Sequence, residues 1–232
     1  MRAVTAPAGL QPSVVDGLPG VFAVWEGRGL TYLYTDSKGF VTIGTGNLVD
    51  PVSMATGLPF YNPSGSVTSQ QDIAFAWREV KDAWPGVQST RCAALTSIRL
   101  RADGLTALIM RTIAQDWAGL LAQFPGCDQW PADAQLGVLS SSWAWGSYFC
   151  NVWNKIGGTP MGFGDQFKMQ VATPDFALAA GVMLDVSVHE ERINPGIVPR
   201  DRAEVVMFQN AQAVIEAGAD RSKLWYPAAF QA

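Results

Sequence analysis

The sequence has few of the residues that most often carry metal or nucleophilic chemistry. Its 232 residues include one histidine, His189, and three cysteines, Cys92, Cys127 and Cys150. The cysteines are widely spaced and form no CxxC pair, which argues against a structural zinc site and allows one intramolecular disulfide at most. Buried thiols are the simplest expectation for them. We expect no metal ion and no cofactor.

Nucleophilic catalysis and phosphate binding are also poorly supported by the sequence. A Ser-His-Asp or Cys-His site would need His189, which stands beside Glu190 and Glu191 at a predicted helix end, where a solvated role is expected. The GTGN run at residues 44–47 lacks the phosphate-binding pattern of a Walker loop, and no helix is predicted directly after it. Carboxylate chemistry is what remains.

Charged residues are scarce as well, and their scarcity excludes other classes of protein. They make up 16% of the chain with a net charge of −4, so we expect no binding of nucleic acid. No apolar run approaches the roughly 20 residues that a membrane-spanning helix needs. The N-terminal segment MRAVTAPAGLQPSVV has one arginine and no sustained apolar stretch, so it predicts no signal peptide.

Apolar and aromatic residues, in contrast, are abundant. Hydrophobic residues make up 48% of the chain and include nine tryptophans, which is typical of a globular protein, and the length suits a single domain, residues 1–232. The residue periodicity predicts one small β-hairpin near the N-terminus followed by helices. We therefore expect an α+β fold that is mostly helical.

The predicted elements follow from apolar periodicity and from capping residues. Predicted strands cover residues 30–34 and 40–44, joined by a turn at 36–39, and a further extended piece is expected at 97–100. Predicted helices cover 13–25, 68–84 with Thr68 or Ser69 as N-cap and Thr68-x-x-Gln71 resembling a capping box, 105–124, 131–145, 173–188 with Thr173 as N-cap, and 200–217. Residues 47–66 are predicted to be irregular.

Two carboxylates flank the first predicted strand. Glu26 ends the apolar helix beside Trp25 and before Gly27, a residue that commonly stops helices. Asp36 begins the polar turn of the hairpin. Cleavage of a glycosidic bond needs a protonated acid at the leaving oxygen and an ionised carboxylate at the attacking water. An apolar setting favours the protonated form, so Glu26 suits the first role and Asp36 the second, although helix-end charges and turn-forming Asp residues are common in any fold.

The spacing around these carboxylates resembles that of the phage-type lysozymes, the muramidases best known from the T-even phages. The shared pattern is E-G-x(6)-Y-x-D-x-x-G-x-x-T-I-G-x-G. The resemblance implies that Glu26 is the general acid, that Asp36 and Thr42 hold the attacking water, and that the anomeric configuration is inverted. The matched positions are Glu26, Gly27, Tyr34, Asp36, Gly39, Thr42, Ile43, Gly44 and Gly46.

Two features of this stretch depart from the family pattern. Asn47 follows the G-x-G turn, where the family often has a histidine; it can form hydrogen bonds but carries no charge, and we expect it to contact the substrate. The interval between Glu26 and Asp36 is one residue longer than in the best-known member, and the extra residue lies within 27–33. We expect the loop to absorb it.

A weaker resemblance continues in the second half of the chain. Residues 134–146 resemble the buried core helix of the family, which ends in glycine at the cleft. Trp143 on this segment is predicted to line the sugar-binding cleft, because sugars stack on aromatic faces. A position in the core is the alternative for both Trp143 and Trp145.

The segment Pro199–Ala203 resembles the one whose arginine pairs with the catalytic glutamate in this family. We assign that supporting role to Arg202, with Arg200 as the alternative. A solvated arginine in the first helical turn is the other interpretation.

The resemblance implies a lysozyme-like arrangement within one domain. Residues 1–104 would form the hairpin-containing lobe with an insertion, and residues 105–232 would form the helical lobe, the long helix 105–124 joining the two. Segments 47–104 and 147–172 have no part that matches the family and are longer than a minimal lysozyme needs, so we expect them to reshape the cleft or to carry partner contacts.

The implied activity is hydrolysis of the β-1,4 bond between N-acetylmuramic acid and N-acetylglucosamine in peptidoglycan, causing bacterial lysis. We expect a monomer that is made in the cytoplasm and acts on the glycan strand in the periplasm after release or delivery. One alternative is a secreted antibacterial effector with the same activity, whose partner would be an immunity or inhibitor protein. Another is an inactive wall-binding or virion structural protein.

Overall fold

The computed structural model describes residues 6–26, 29–87, 89–156 and 161–226. In this part of the chain the fold is mostly helical with a small antiparallel sheet, which confirms the predicted α+β class. The helices are α1 (Pro12–Trp25), α2 (Val52–Thr56), α3 (Gln70–Asp82), α4 (Ala102–Gln123), α5 (Ala132–Trp145), α6 (Phe149–Trp153), α7 (Phe163–Ala172), α8 (Phe176–Ile193) and α9 (Val198–Glu216). The strands are β1 (Leu30–Thr35), β2 (Val41–Gly44), β3 (Asn47–Leu48), β4 (Phe60–Tyr61) and β5 (Arg99–Leu100).

The chain divides into two compact units. Residues 22–112 form the hairpin unit, and residues up to 21 together with those from 113 onward form the helical unit. The boundaries fall inside α1 and inside α4, so each of these two helices contributes residues to both units. The sequence had placed the boundary between two lobes at residues 104 and 105, in the first turn of α4.

A three-stranded antiparallel sheet, in the order β1-β2-β3, forms one side of the hairpin unit. Tyr34 pairs with Thr42, so the predicted hairpin is confirmed. The prediction of irregular structure for residues 47–66 was wrong, because β3, α2 and β4 lie there. Elements of two to five residues are too short to show a periodic pattern. β4 pairs with β5, which lies in the predicted extended piece at 97–100.

The core of the hairpin unit lies between its sheet and α3. Leu33, Val41 and Ile43 from the sheet are fully buried, and Ile73 and Val80 from α3 lie in the same apolar cluster. The spacing of Ile73 and Val80, two helical turns apart, places both on one face of α3. α3 is thereby held beside the hairpin that carries Asp36.

The N-terminus of α3 is capped by the second of the two residues predicted as its cap. Ser69 is the N-cap: its hydroxyl accepts a hydrogen bond from the amide of Asp72 at 3.1 Å and donates to the Asp72 carboxylate at 2.6 Å. The predicted pairing of Thr68 with Gln71 is therefore wrong. A carboxylate in the first turn also interacts favourably with the helix dipole, which the Thr68 register would not provide.

The helical unit is built around α5. Every residue from Ala132 to Ser142 is buried, and α9 packs against the helix, so the prediction of a buried core helix is confirmed. α5 ends where predicted, at Gly146, whose φ is 86°. A continuous network of ring contacts forms the surrounding core. Its members are Phe124, Trp130, Phe149, Trp153, Phe167, Phe176 and Phe208.

The start of α8 differs from the predicted one. Asp175 is the N-cap, because its carboxylate accepts from the amide of Leu178 at 3.0 Å. Thr173, the predicted cap, instead follows the end of α7, where its amide donates to the carbonyl of Gln170. α8 also continues five residues beyond the predicted end at Val188, to Ile193.

The three cysteines are buried, as predicted, and none of them forms a disulfide. Burial raises the pKa of both the Cys127 and the Cys150 thiol to about 12. These thiols are therefore protonated and unreactive at neutral pH. Among the described helices, none combines the length and the apolar character that a membrane crossing requires.

Candidate functional site

α1 ends immediately before Glu26. The helix is unbroken although it contains Pro19 and Gly20, both poor helix formers, and its residues Leu18 and Phe22 are buried at 0% and 1% exposure. The amide of Glu26 donates to the carbonyl of Phe22 at 2.8 Å, so the last turn closes at this residue. The side chain of Glu26 is half-buried. The predicted helix-end position is confirmed, whereas Gly27, the predicted stop, lies outside the described residues.

Asp36 organises the turn of the hairpin. Its carboxylate oxygen Oδ1 accepts hydrogen bonds from the amides of Lys38 at 2.8 Å and Phe40 at 2.9 Å. The backbone amide of Asp36 donates to the carbonyl of Phe40 at 3.0 Å. This is the Asx-type turn that aspartate commonly forms. Both bonds to the carboxylate use Oδ1, so Oδ2 is the oxygen left for other partners.

The turn is tied to α3 through Lys81. The Lys81 ammonium donates to the carbonyl of Gly39 at 2.8 Å and to Oδ2 of Asp50 at 2.6 Å. The same Asp50 oxygen accepts from the amide of Val41 at 3.2 Å. Hydrogen bonds to charged groups are among the stronger ones in proteins, so these contacts fix the hairpin turn, and with it Asp36, relative to α3.

Thr42 and Tyr34 are cross-strand neighbours in the sheet of the hairpin unit, where Thr42 is 4% exposed and Tyr34 packs against the core cluster. The neighbours of Thr42 in β2, Val41 and Ile43, are both core residues, so the alternation of a strand turns Thr42 to the opposite face. Tyr34 lies directly across from Thr42, and paired residues point to the same side. The Thr42 hydroxyl donates to the carbonyl of Phe40 at 3.1 Å, which leaves its lone pairs to accept.

Tyr34 stands in the strand that follows Glu26, two residues before Asp36. Burial raises the pKa of Tyr34 to about 12; a hydrogen bond with the Gly46 backbone opposes the shift, and the negative charges of Glu26 and Asp36 contribute in the same direction as burial. Glu26, Tyr34, Asp36 and Thr42 all lie in the hairpin unit, and we call them the hairpin site.

The glycine corner after β2 closes the hairpin site. Gly44 has a φ of 70°, and a Cβ built on it would lie 3.0 Å from Oδ1 of Asn47 and 3.2 Å from Leu105, so a side chain is disfavoured here on two grounds. Asn47 is 3% exposed, and its amide nitrogen donates to the hydroxyl of Thr112 at 3.0 Å. The predicted contact of Asn47 with substrate gains no support from this burial; the structure gives it a bond that joins β3 to α4.

The interval between Glu26 and Asp36 includes an irregularity in β1. Leu30 pairs with Gly44 and Tyr34 with Thr42, so four residue steps in β1 stand opposite two in β2. Such a bulge adds length to one strand while leaving the pairs beyond it in register. Residues 27 and 28 of the interval lie outside the described residues, and the expected adjustment of the loop stays a prediction.

Trp143 and Arg202, the other predicted site residues, belong to the helical unit. Trp143 is half-buried in the last turn of α5. Arg202 is exposed on α9 and forms an ion pair with Glu191 of α8, so the contact does not support the predicted pairing with Glu26. Arg200, the alternative, is only 7% exposed.

A second group of carboxylates is enclosed in the helical unit. Glu190 of α8 and Asp201 and Glu204 of α9 are each at most 1% exposed. Ser141 of α5 donates to Oε2 of Glu204 at 2.6 Å. Within the described residues, the other Glu204 oxygen and both oxygens of Glu190 and Asp201 have no hydrogen-bond partner. We call these three residues the buried acid cluster.

Burial dominates the titration of the cluster. Burial, together with the nearby carboxylates of Glu204 and Glu190, raises the pKa of Asp201 to about 8, while the charge of Arg200 opposes the shift. Burial raises the pKa of Glu204 to about 7, against the hydroxyls of Ser140 and Ser141 and the charge of Arg200. It also raises the pKa of Glu190. Protonation relieves the cost of burying charge, so the cluster is largely neutral in mildly acidic solution.

The cluster is not arranged as a metal site. Across the residues that the structure describes, no group of three or more histidine, cysteine, aspartate or glutamate side chains is placed to hold a metal ion. The three residues of the buried acid cluster are enclosed between helices and cannot touch a polymeric substrate without the core opening. The hairpin site is therefore the better candidate for chemistry.

Sequence reasoning missed several residues that shape the hairpin site. Tyr34 was part of the matched pattern but received no role, although its spacing of two residues from Asp36 was a usable signal. Lys81 and Thr112 act through contacts between distant segments, for which the sequence carries no local signal. Trp84 was interpreted only as the end of a helix.

Comparison with known proteins adds no relative. No protein-family model matches this chain, and no curated protein or solved structure matches it either. The likeness of the hairpin segment to phage-type lysozymes thus stays a resemblance in motif. The function has to be argued from the geometry of the hairpin site.

Proposed function

We propose that this protein is a peptidoglycan hydrolase with a lysozyme-like fold, which cleaves the β-1,4 bond between N-acetylmuramic acid and N-acetylglucosamine. One observation carries the proposal: Asp36 of the hairpin turn stands two residues after Tyr34, which pairs across the sheet with Thr42, and Glu26 directly follows α1 in the same unit. Glycoside hydrolysis by inversion requires two carboxylates, one as the acid and one at the attacking water.

The roles follow from the position of each group. Glu26, half-buried at the end of a buried helix, donates its proton to the glycosidic oxygen as the bond to the anomeric carbon breaks. A water molecule attacks that carbon from the opposite face and transfers a proton to Asp36. Oδ2 of Asp36 and the lone pairs of Thr42 orient the water, because Oδ1 of Asp36 is held by two backbone amides. No cofactor takes part.

The test is digestion of purified peptidoglycan followed by mass spectrometry of the soluble products. The proposal predicts fragments that carry muramic acid at the reducing end. Glu26→Gln should release these fragments at least about 10²-fold more slowly, because general acid catalysis contributes about 10²–10⁴-fold. Glu79→Gln, on the exposed side of α3, is the matched control and should digest like the wild type.

Two results would contradict the proposal in different ways. Fragments with N-acetylglucosamine at the reducing end would mean that the other glycosidic bond is cut. Intact peptidoglycan that retains the folded protein in a pull-down would favour a wall-binding or virion structural role. An antibacterial effector would give the same products as the proposed enzyme, and binding of an immunity protein would distinguish it.

A further inference from the structure

A cavity of about 400 Å³ lies in the hairpin unit next to the turn that carries Asp36. It is an open cavity, lined by four hydroxyl groups, one carboxylate, one indole ring and two apolar side chains. The lining residues are Thr35, Asp36, Ser37, Trp84, Pro85, Val87, Ser89 and Thr90. No lysine or arginine is among the described residues that line it. Segment 47–104, which matches no part of the lysozyme pattern, supplies five of these eight residues.

The indole of Trp84 is held in place by the hairpin turn. A Cβ built on Gly39 would lie 2.9, 3.1 and 3.1 Å from three atoms of the Trp84 ring, so the peptide of Gly39 lies against one face of the indole. Gly39 has a φ of 81°, which also favours glycine at this position. Trp84 is nevertheless 43% exposed. The surface that remains exposed is therefore on the side of the ring away from Gly39.

The lining selects for a neutral ligand with many hydroxyl groups. An anion would meet the carboxylate of Asp36 with no cation to balance it. An apolar ligand would remove water from four hydroxyl groups without replacing their hydrogen bonds, which is costly. A sugar ring satisfies both parts of the lining, because its C–H face stacks on an indole while its hydroxyl and acetamido groups form hydrogen bonds. The volume also lies within the range of small-molecule sites.

We propose that this cavity is a saccharide-binding subsite, in which Trp84 stacks on one sugar ring and the surrounding hydroxyl groups hydrogen-bond to it. That the sugar belongs to a peptidoglycan strand rests on the proposed function. Because Asp36 lines the cavity, the subsite is continuous with the hairpin site, and the ring bound here positions the strand for cleavage. Trp84 acts by binding and takes no part in proton transfer.

The test measures binding and kinetics separately. Calorimetry with a tetramer of N-acetylglucosamine is performed on Glu26→Gln protein, which retains the cavity, with and without Trp84→Ala. We expect Trp84→Ala to weaken binding about tenfold, or 1.4 kcal/mol, since aromatic stacking contributes about that much. In the protein with Glu26 intact, the KM for soluble peptidoglycan fragments should rise by a similar factor while kcat stays within about twofold.

Two further variants provide a control and an independent test. Trp225→Ala removes a tryptophan of nearly equal exposure, 46%, from the helical unit and should leave binding and KM unchanged. Ser89→Ala with Thr90→Val removes two hydroxyl groups but leaves Trp84 on Gly39, and it should weaken binding several-fold. If Trp84→Ala fails to fold, the affinity of this double variant for the tetramer tests the subsite instead.

The outcomes separate the subsite from the proposed function. Unchanged affinity for the tetramer in Trp84→Ala, or in the double variant if that is the folded one, would overturn the subsite. So would the absence of tetramer binding to the parent protein at millimolar concentration. Trp84-dependent binding by a protein that cleaves no peptidoglycan would refute the hydrolase and retain the subsite.

Discussion

The molecule contains two groups of carboxylates, and they differ in nearly every physical respect. Glu26 and Asp36 of the hairpin site are half-buried and lie beside a strand face and a polar turn. Glu190, Asp201 and Glu204 are enclosed between helices with unsatisfied oxygens and raised pKa values. A search guided only by perturbed pKa values would choose the second group as the active site. Access to a polymer favours the first.

The comparison shows that a raised pKa has two different meanings. At a catalytic site it prepares an acid for proton transfer to a substrate that can reach it. In a closed core it records the cost of burying charge, and proton uptake on folding reduces that cost. Substitutions in and around the two groups of carboxylates test this distinction.

The largest effect is expected from Glu26→Gln. The amide has the same shape as the acid but cannot supply the proton to the leaving oxygen, so hydrolysis should fall about 10²–10⁴-fold. The thermal unfolding midpoint should stay close to that of the wild type, because the side chain is only half-buried. Turbidity of a cell-wall suspension gives the rate. A folded variant with near-normal turnover would refute the assignment of the acid.

Asp36→Asn and Thr42→Ala should show coupled losses. Asp36→Asn should lose about 10²-fold in rate and Thr42→Ala less, because both hold the same water. The double variant should therefore be less impaired than the product of the single effects. A double-mutant cycle on kcat/KM measures the coupling. Strictly multiplicative losses would mean that the two residues do not share a water molecule.

The buried acid cluster should make the protein less stable as the pH rises. The folded-state pKa values of Asp201 and Glu204, about 8 and about 7, exceed the ordinary values of 3.8 and 4.5, so the folded chain binds more protons than the unfolded chain between about pH 4 and 8. Stability contributed by these groups therefore declines across that window. Glu190 and Arg200 also act on Asp201, the first raising its pKa and the second lowering it.

Asp201→Asn should remove much of this pH dependence. Its unfolding free energy, measured in urea, should match the wild type near pH 4 and exceed it by a few kcal/mol at pH 8, since each pKa unit corresponds to about 1.4 kcal/mol. Asp185→Asn, on the exposed face of α8, is the control and should follow the wild type. A difference that is constant with pH would show that Asp201 titrates normally in the folded chain.

The smallest effect is expected from Lys81→Met. This variant keeps the aliphatic stem but removes the bonds to Gly39 and Asp50, so we expect a loss of roughly 1–2 kcal/mol in stability. Lys38→Met, in the exposed part of the turn, is the control and should lose much less stability. Hydrogen exchange of the hairpin amides would show whether the loss is local. Equal protection in both variants would mean that Lys81 does not hold the turn.

The sequence predicted those parts of the fold that depend on local pattern. The hairpin strands, α4 and α5 were anticipated because their apolar spacing and stop residues are clear. The two-residue strands β3 and β4 were missed because so few residues carry no period. The cap of α8 was misplaced and that of α3 was left open between Thr68 and Ser69, because several neighbouring residues can cap a helix and tertiary packing chooses among them.

For the candidate site, too, the sequence indicated what depends on local pattern and missed what depends on contacts between distant segments. Glu26, Asp36 and Thr42 were predicted from their spacing; all three lie in the hairpin unit, and their roles stay predictions. Arg200 and Asp201 look from the sequence like a solvated first turn of a helix, yet they are buried, because α9 packs against α5 and α8. The position of Trp84 over Gly39 depends on two segments 45 residues apart and gave no local signal.

The most direct measurement is the anomeric configuration of the first product, followed by proton NMR before mutarotation. Inversion requires room for a water molecule, with carboxyl groups roughly 6.5–9.5 Å apart, whereas a retaining enzyme brings them to about 5–5.5 Å. If Glu26 is the acid and Asp36 and Thr42 hold the water, the first product is the α-anomer. The β-anomer as first product would contradict the account, because Asp36 or another residue would then act as a nucleophile.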